Sequence, residues 1–192
     1  MPSRHPAVRL LLLALVGLLL LPLAATAPAS AASLPSKKKW VSDTVAAASG
    51  SRTYLQQRLD ALEEGDDPLA ITLDIDNTSL ASHYDPGKPV VAVLKLATYA
   101  RNHGVKVFFN TARPEGKVAG AVASLEKAGF PVDGICGRRS GESLAEGKQR
   151  CRAEFADQGY RIAVNVGNRS TDFTGGGYDR AYRLPNYGNL LV

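Results

Sequence analysis

The sequence is poor in the residues from which metal clusters, membrane spans and nucleic-acid surfaces are built. It has only two cysteines and three histidines in 192 residues. Two cysteines with no histidine nearby make a poor zinc site. The longest apolar run, Leu10 to Leu21, is about a dozen residues, broken only by Gly17 and alanine. That is too short to span a bilayer comfortably. The formal charge of +5 falls to +3 once Arg4 and Arg9 are removed with the N-terminal segment. So small a surplus fits an ordinary solvated surface and argues against a nucleic-acid partner. The chain has no internal repeat, and no low-complexity tract follows its first thirty or so residues.

What is present begins with a three-part N-terminus. Arg4 and Arg9 precede the apolar run, and small residues from Ala24 to Ala32 follow it. This grammar predicts a secretory signal peptide over residues 1–32 and a secreted protein without a stable membrane anchor. Pro28 disfavours cutting after Ala27, which leaves Ala29, Ala31 or Ala32 as the last residue removed. An uncleaved N-terminal anchor is the alternative. No cysteine lies near the cut, which argues against a lipid-modified lipoprotein. Residues 33–192 then form one mature domain, long enough to bury a core. Cys136 and Cys151 lie fifteen residues apart. Outside the cytoplasm that spacing predicts a disulfide, with two buried thiols as the alternative. A loop of that length would contribute about 3 kcal/mol.

The mature chain alternates helical and strand patterns. Trp40, Val41, Val45, Ala48, Leu55, Leu59 and Leu62 recur at helical spacing, with Gly50 weakening the middle, so residues 40–63 read as one helix or two. Residues 69–75 read as a buried strand. Pro89 opens a helix that buries Val90, Val93, Leu94 and Ala97 on one face. A strand over 105–109, a helix over 115–128, a short strand over 130–136, a helix over 143–158 and a strand over 161–166 follow. A short fifth strand falls at 181–184. Strands alternating with helices predict a three-layer, Rossmann-like α/β domain: a parallel sheet with helices on both faces. In such sheets ligands bind beyond the carboxyl ends of the strands.

Those strand ends carry the chemistry. Leu73-Asp74-Ile75-Asp76-Asn77-Thr78 places two carboxylates at the exit of a buried strand. Two acids at the edge of a core are costly unless paired, hydrogen-bonded or bound to a cation. Magnesium suits them, because it takes carboxylate oxygens together with substrate phosphate. A calcium loop is the alternative, but its sixth position is Ser79 rather than Gly and its twelfth is Asp85 rather than Glu. Phe109-Asn110-Thr111-Ala112-Arg113-Pro114 offers a hydroxyl and a guanidinium before a helix start, a possible anion cradle. Lys148 sits early in a helix. Gly167-Asn168-Arg169-Ser170-Thr171-Asp172 supplies an amide and a carboxylate at another strand end.

Taken in order, acid pair, Thr, Lys and Gly-led polar turn resemble the haloacid dehalogenase (HAD) superfamily. More narrowly the chain resembles the secreted acid-phosphatase branch, which includes the class B and the plant vegetative-storage acid phosphatases. Lys148 with Arg152, Gly159-Tyr160-Arg161-Ile162, Asn165-Val166-Gly167 and Leu184-Pro185-Asn186 add to the likeness. The resemblance implies an acid phosphatase acting on phosphomonoesters. It makes Asp74 the nucleophile that forms an aspartyl-phosphate and Asp76 the acid and base. It implies phosphate contacts from Thr111, Lys148, Asn77 and Arg113, and a magnesium ion at Asp74, Asp76, Asn168 and Asp172. Most relatives carry Asp where this chain has Asn168, which implies weaker metal binding. A catalytically weak phosphate-binding or storage protein is the alternative function. The segment between the first two motifs is short, so a cap is minimal or absent and the site is open. His83 and Tyr84 lie near the expected mouth, either as substrate contacts or as ordinary loop residues.

Overall fold

The computed structural model describes residues 33–191, and the predicted signal peptide lies outside the described residues. The first helical pattern is two helices, α1 (Lys37–Ala47) and α2 (Ser51–Asp60). Ser36 caps α1, its hydroxyl accepting the N–H of Lys39. Gly50 stands between the two at φ +77°, a left-handed conformation that glycine adopts without steric cost. Then come β1 (Leu69–Leu73), α3 (Val91–Asn102), β2 (Lys106–Pro114), α4 (Val118–Lys127), β3 (Gly134–Arg138), α5 (Leu144–Asp157), β4 (Arg161–Gly167) and β5 (Arg180–Arg183).

Several boundaries differ from the sequence reading. β2 runs on to Pro114, so Thr111 stands within a strand instead of ahead of a helix. The helix expected from residue 115 opens with a 3-10 turn, Glu115–Lys117, before α4 begins. The third strand starts at Gly134 rather than at residue 130. Pro131 cannot donate to a ladder. The Asp133 carboxylate instead accepts the Val107 N–H at 2.9 Å and the Lys106 ammonium at 3.2 Å.

All five strands are parallel, in the order β3-β2-β1-β4-β5. This is the Rossmann-like sheet the alternation predicted. The chain steps outward from β1 to β2 to β3 and then returns across the sheet to β4. α5 makes that return. The ends of β1 and β4 therefore flank a topological switch point, where α/β sheets bind their ligands.

The two faces are unequally covered. Ile71, Leu73, Val107 and Phe109 point into the larger core, with Trp40, Leu55, Leu96, Ala97 and Leu125 from α1 to α4. Their neighbours Ala70 and Phe108, with Ile162, point the other way, onto Cys151 and Phe155 of α5. Each large side chain so buried is worth roughly 1.5–3 kcal/mol. Cys136 and Cys151 form a disulfide that ties the edge strand β3 to α5. Near the C-terminus, Leu184 and Leu191 are buried, and the Tyr187 hydroxyl donates to Asp43 at 2.8 Å. Among the described residues no helix is long and apolar enough to cross a membrane.

Candidate active site

Where β1 ends, its buried five-residue run gives way to a turn. The Asp74 N–H still bonds the Val166 carbonyl of β4 at 2.9 Å, which locks the residue to the switch point. The Ser79 hydroxyl closes the turn by donating to the Asp74 carbonyl at 2.6 Å. Asp74 itself is 9% exposed. It lines a cavity of about 220 Å³ with Asp76, Thr111, Ala112, Lys148, Arg169, Thr171 and Asp172. The short segment after β1 adds no domain-sized cap over this cavity among the described residues.

α5 presents Lys148 from the opposite layer. The side chain crosses a polar stratum beneath the strand ends. Thr72 donates to the Asn165 side chain at 2.7 Å, and the Asn165 amide donates to the Asp172 carbonyl at 2.9 Å. Asn110 fixes the helix by donating to the Lys148 carbonyl at 2.8 Å. The Lys148 ammonium then spends its three protons on Asp74 Oδ1 at 2.6 Å, Asp172 Oδ1 at 2.8 Å and the Asn110 carbonyl at 2.5 Å.

One ammonium between two carboxylates leaves one surplus negative charge in a dry place. Two pKa shifts follow from that imbalance. Burial works against the Lys148 charge, but Asp74 and Asp172 outweigh it and hold the group above its ordinary value. Burial pushes Asp74 up to about 6, with Lys148 pulling down and Asp172 pushing up. The lysine is content, and the excess charge resides on the nucleophile candidate.

Asp172 is held by backbone. Its Oδ2 accepts the N–H groups of Asn168 at 3.0 Å and Arg169 at 2.9 Å. Gly167 permits this approach, since a Cβ there would lie 2.4 Å from Asp172 Oδ2. Arg152, 1% exposed, clamps the same loop. Its guanidinium donates to the carbonyls of Asp172 at 2.9 Å, Gly176 at 2.6 Å and Thr174.

The sequence-derived roles fare differently one by one. Asp74, Asp76, Thr111, Lys148 and Asp172 meet in one cavity. Thr111 accepts the Arg113 N–H at 3.2 Å, so its own hydroxyl proton is free to turn toward the cavity. Asn77 does not line the cavity. Fully buried at φ +57°, it accepts the His83 N–H at 2.8 Å and organises the loop after β1. Arg113 forks onto the other acid, with Nε to Asp76 Oδ2 at 2.9 Å and Nη2 to Asp76 Oδ1 at 2.7 Å. Burial would raise the Asp76 pKa, but Arg113 and the Ser82 hydroxyl outweigh it and hold the carboxyl below its ordinary value. Both Asp76 carboxylate oxygens are thus occupied by protein. The same is true of Asp172, whose Oδ1 accepts from Lys148 and whose Oδ2 accepts two backbone N–H groups. His83 is exposed, and Tyr84 turns inward to stack on Trp40, so neither lines the cavity. The sequence reading gave Asn110, Asn165, Thr72 and Arg169 no role of their own. The first three could have been flagged as polar residues inside otherwise apolar strands.

The family model for HAD superfamily subfamily IIIB, the acid phosphatases, matches residues 84–190, more than half of the chain. The chain belongs to this family. The match begins downstream of Asp74 and Asp76 and takes in Thr111, Lys148, Asn168 and Asp172. Acid phosphatases of subfamily IIIB are phosphomonoester hydrolases, and phosphatases of the superfamily generally use a divalent metal. Among solved structures, the class C acid phosphatase from Bacillus anthracis is 17% identical with a TM-score of 0.63, covering 79% of each chain. A structure of the Bacillus anthracis class C enzyme with tungstate bound is 19% identical over 74% of this chain and 78% of that chain, with a TM-score of 0.56. At these identities the likeness concerns the fold. No curated protein sequence matches the chain.

Proposed function

We propose that this acid phosphatase is an exported, magnesium-dependent phosphomonoesterase that works through an aspartyl-phosphate on Asp74. The observation that carries the reading is the buried Asp74–Lys148–Asp172 bridge at the floor of an open cavity. It fixes one carboxylate oxygen of Asp74 and leaves the residue with charge it cannot neutralise internally. Such a group is suited to an electrophilic phosphorus atom.

The chemistry balances within the side chains present. An Asp74 oxygen attacks phosphorus as the bond to the leaving oxygen breaks, and that oxygen takes a proton from Asp76. Water then attacks the phosphorus, Asp76 takes the water's proton, and the Asp74–phosphorus bond breaks to release inorganic phosphate. The Arg113 fork keeps Asp76 ionised, so it is ready for the second half-reaction. The first half-reaction needs Asp76 protonated, hence the fork loosened.

The donors fit a hard divalent ion. Asn168 is 2% exposed, and neither its Oδ1 nor its Nδ2 finds a hydrogen-bond partner among the described residues. An orphan amide oxygen in a dry site invites a cation. Asp74, the Asp76 carbonyl and Asn168 Oδ1 would hold magnesium, which would supply charge neutralisation for the phosphate. Because Asn168 brings no charge, Asn168→Asp is expected to lower the magnesium concentration for half-maximal rate by roughly tenfold. A titration of phosphate release against magnesium checks this, and an unchanged or higher requirement removes Asn168 from the ligand set. The reading as a whole is tested by phosphate release from aryl phosphate by the mature protein, with magnesium and with a chelator. Release that is absent with magnesium, or indifferent to the chelator, counts against it. Export is tested separately by N-terminal sequencing of protein recovered from the medium, which should begin between Ser30 and Ser33.

A further inference from the structure

Lys148 is the residue from which phosphate binding is first expected, yet it has no proton left to give. Its three N–H groups are committed to Asp74, Asp172 and the Asn110 carbonyl. Arg113 gives its Nε and one Nη2 proton to Asp76 and does not line the cavity. A phosphoryl group entering the cavity brings negative charge to a place that already holds three carboxylates. Thr111 can offer one neutral donor. Two cations line the cavity, Lys148 and Arg169. Among the described residues the Arg169 guanidinium makes no ion pair. Its backbone is nonetheless fixed, because its N–H is held by Asp172 Oδ2 at 2.9 Å. It is half-buried, so its charge is less screened than one on an open surface. Thr171, two residues on, lines the same wall.

We infer that Arg169 is a phosphate-binding residue of this site: its guanidinium takes the non-bridging oxygens of the substrate phosphoryl group, while Lys148 serves to position Asp74. A planar fork suits two phosphoryl oxygens at once, which a lysine at the same position would match less well. The arrangement also places a cation directly after the neutral Asn168.

The inference rests on the phosphatase reading above, and the test separates the two. The probe is inorganic phosphate, titrated calorimetrically into magnesium-loaded mature protein. Arg169→Gln is expected to weaken phosphate binding by about 10–100-fold and to raise KM for aryl phosphate by a similar factor. Arg169→Lys should recover part of the loss. The melting temperature should not move, because the guanidinium makes no ion pair among the described residues. Phosphate affinity within about twofold of wild type in Arg169→Gln overturns the role of Arg169. A lowered melting temperature with equal losses in the Gln and Lys variants overturns it as well, since it marks a structural residue. In parallel, an inactive Asp74→Asn with unchanged phosphate binding in Arg169→Gln refutes the Arg169 inference alone. An active Asp74→Asn refutes the phosphatase mechanism on which the inference stands.

Discussion

Asp74→Asn should reduce aryl-phosphate turnover by roughly a thousandfold or more and at the same time make the metal-free protein more stable. The two effects share a cause. Asp74 sits in a dry site beside one ammonium that also serves Asp172. Its pKa is raised to about 6 from an ordinary 3.8. The folded protein therefore binds this proton more tightly than the unfolded chain does. Ionising Asp74 costs stability, beginning near pH 4 as pH rises and complete above about pH 6. The cost is about 1–3 kcal/mol. In chelator at neutral pH, Asp74→Asn should melt roughly 2–10 °C above wild type. The gap should close toward pH 4, where wild-type Asp74 holds its proton. Asp76 acts in the opposite sense. Its pKa is held low, so its contribution is present above the ordinary carboxyl value and lost as pH falls below it. It is common to both proteins and cancels. Melting curves from pH 4 to 8 measure the difference directly, and equal stability at pH 7.5 would remove the surplus charge from Asp74.

Lys148→Met should be the most destabilising single change in the site. The ammonium is 2% exposed and stands between two carboxylates. Its loss leaves Asp74 and Asp172 facing each other with no compensating charge. Breaking a buried pair in this way costs about 3–5 kcal/mol. Adding Asp74→Asn to Lys148→Met should return part of that loss, because one of the two stranded charges is gone. The effects are thus expected to be non-additive by about 1–3 kcal/mol. Denaturant unfolding of the four proteins measures the coupling, and simple additivity would mean that the ion bridge has little energetic weight.

Much of this arrangement was legible in the sequence because periodicity and punctuation agree. Gly50, the turn at residues 65–68, Gly104, Gly129 and Gly159 separate patterns that each fit one element. The acid pair at the end of an apolar strand marked the site. The misplaced elements have local reasons. Phe130 looks like strand but closes the core, and Pro131 has no N–H to offer, so pairing to β2 begins only with the Asp133 N–H on the Val107 carbonyl. Pairings across the fold were not legible. Arg113 lies 37 residues from Asp76, and nothing local shows that its fork goes to the acid instead of to substrate. Asn77 follows the acid pair, yet its left-handed backbone carries the side chain into the loop. The commitment of every Lys148 proton depends on Asn110 and Asp172, which come from two other strand ends. Arg169 becomes notable only after those commitments are counted.

The capture of a phosphoryl group by Asp74 can be observed without inferring it from rates. Magnesium-loaded protein would be mixed with excess aryl phosphate, quenched in acid within milliseconds, digested, and its peptides weighed. One added phosphoryl group is expected on the peptide that carries Asp74, removable by hydroxylamine and missing from Asp74→Asn. Rapid substrate cleavage with every peptide unmodified, or with the label on another residue, would contradict covalent catalysis at this carboxylate.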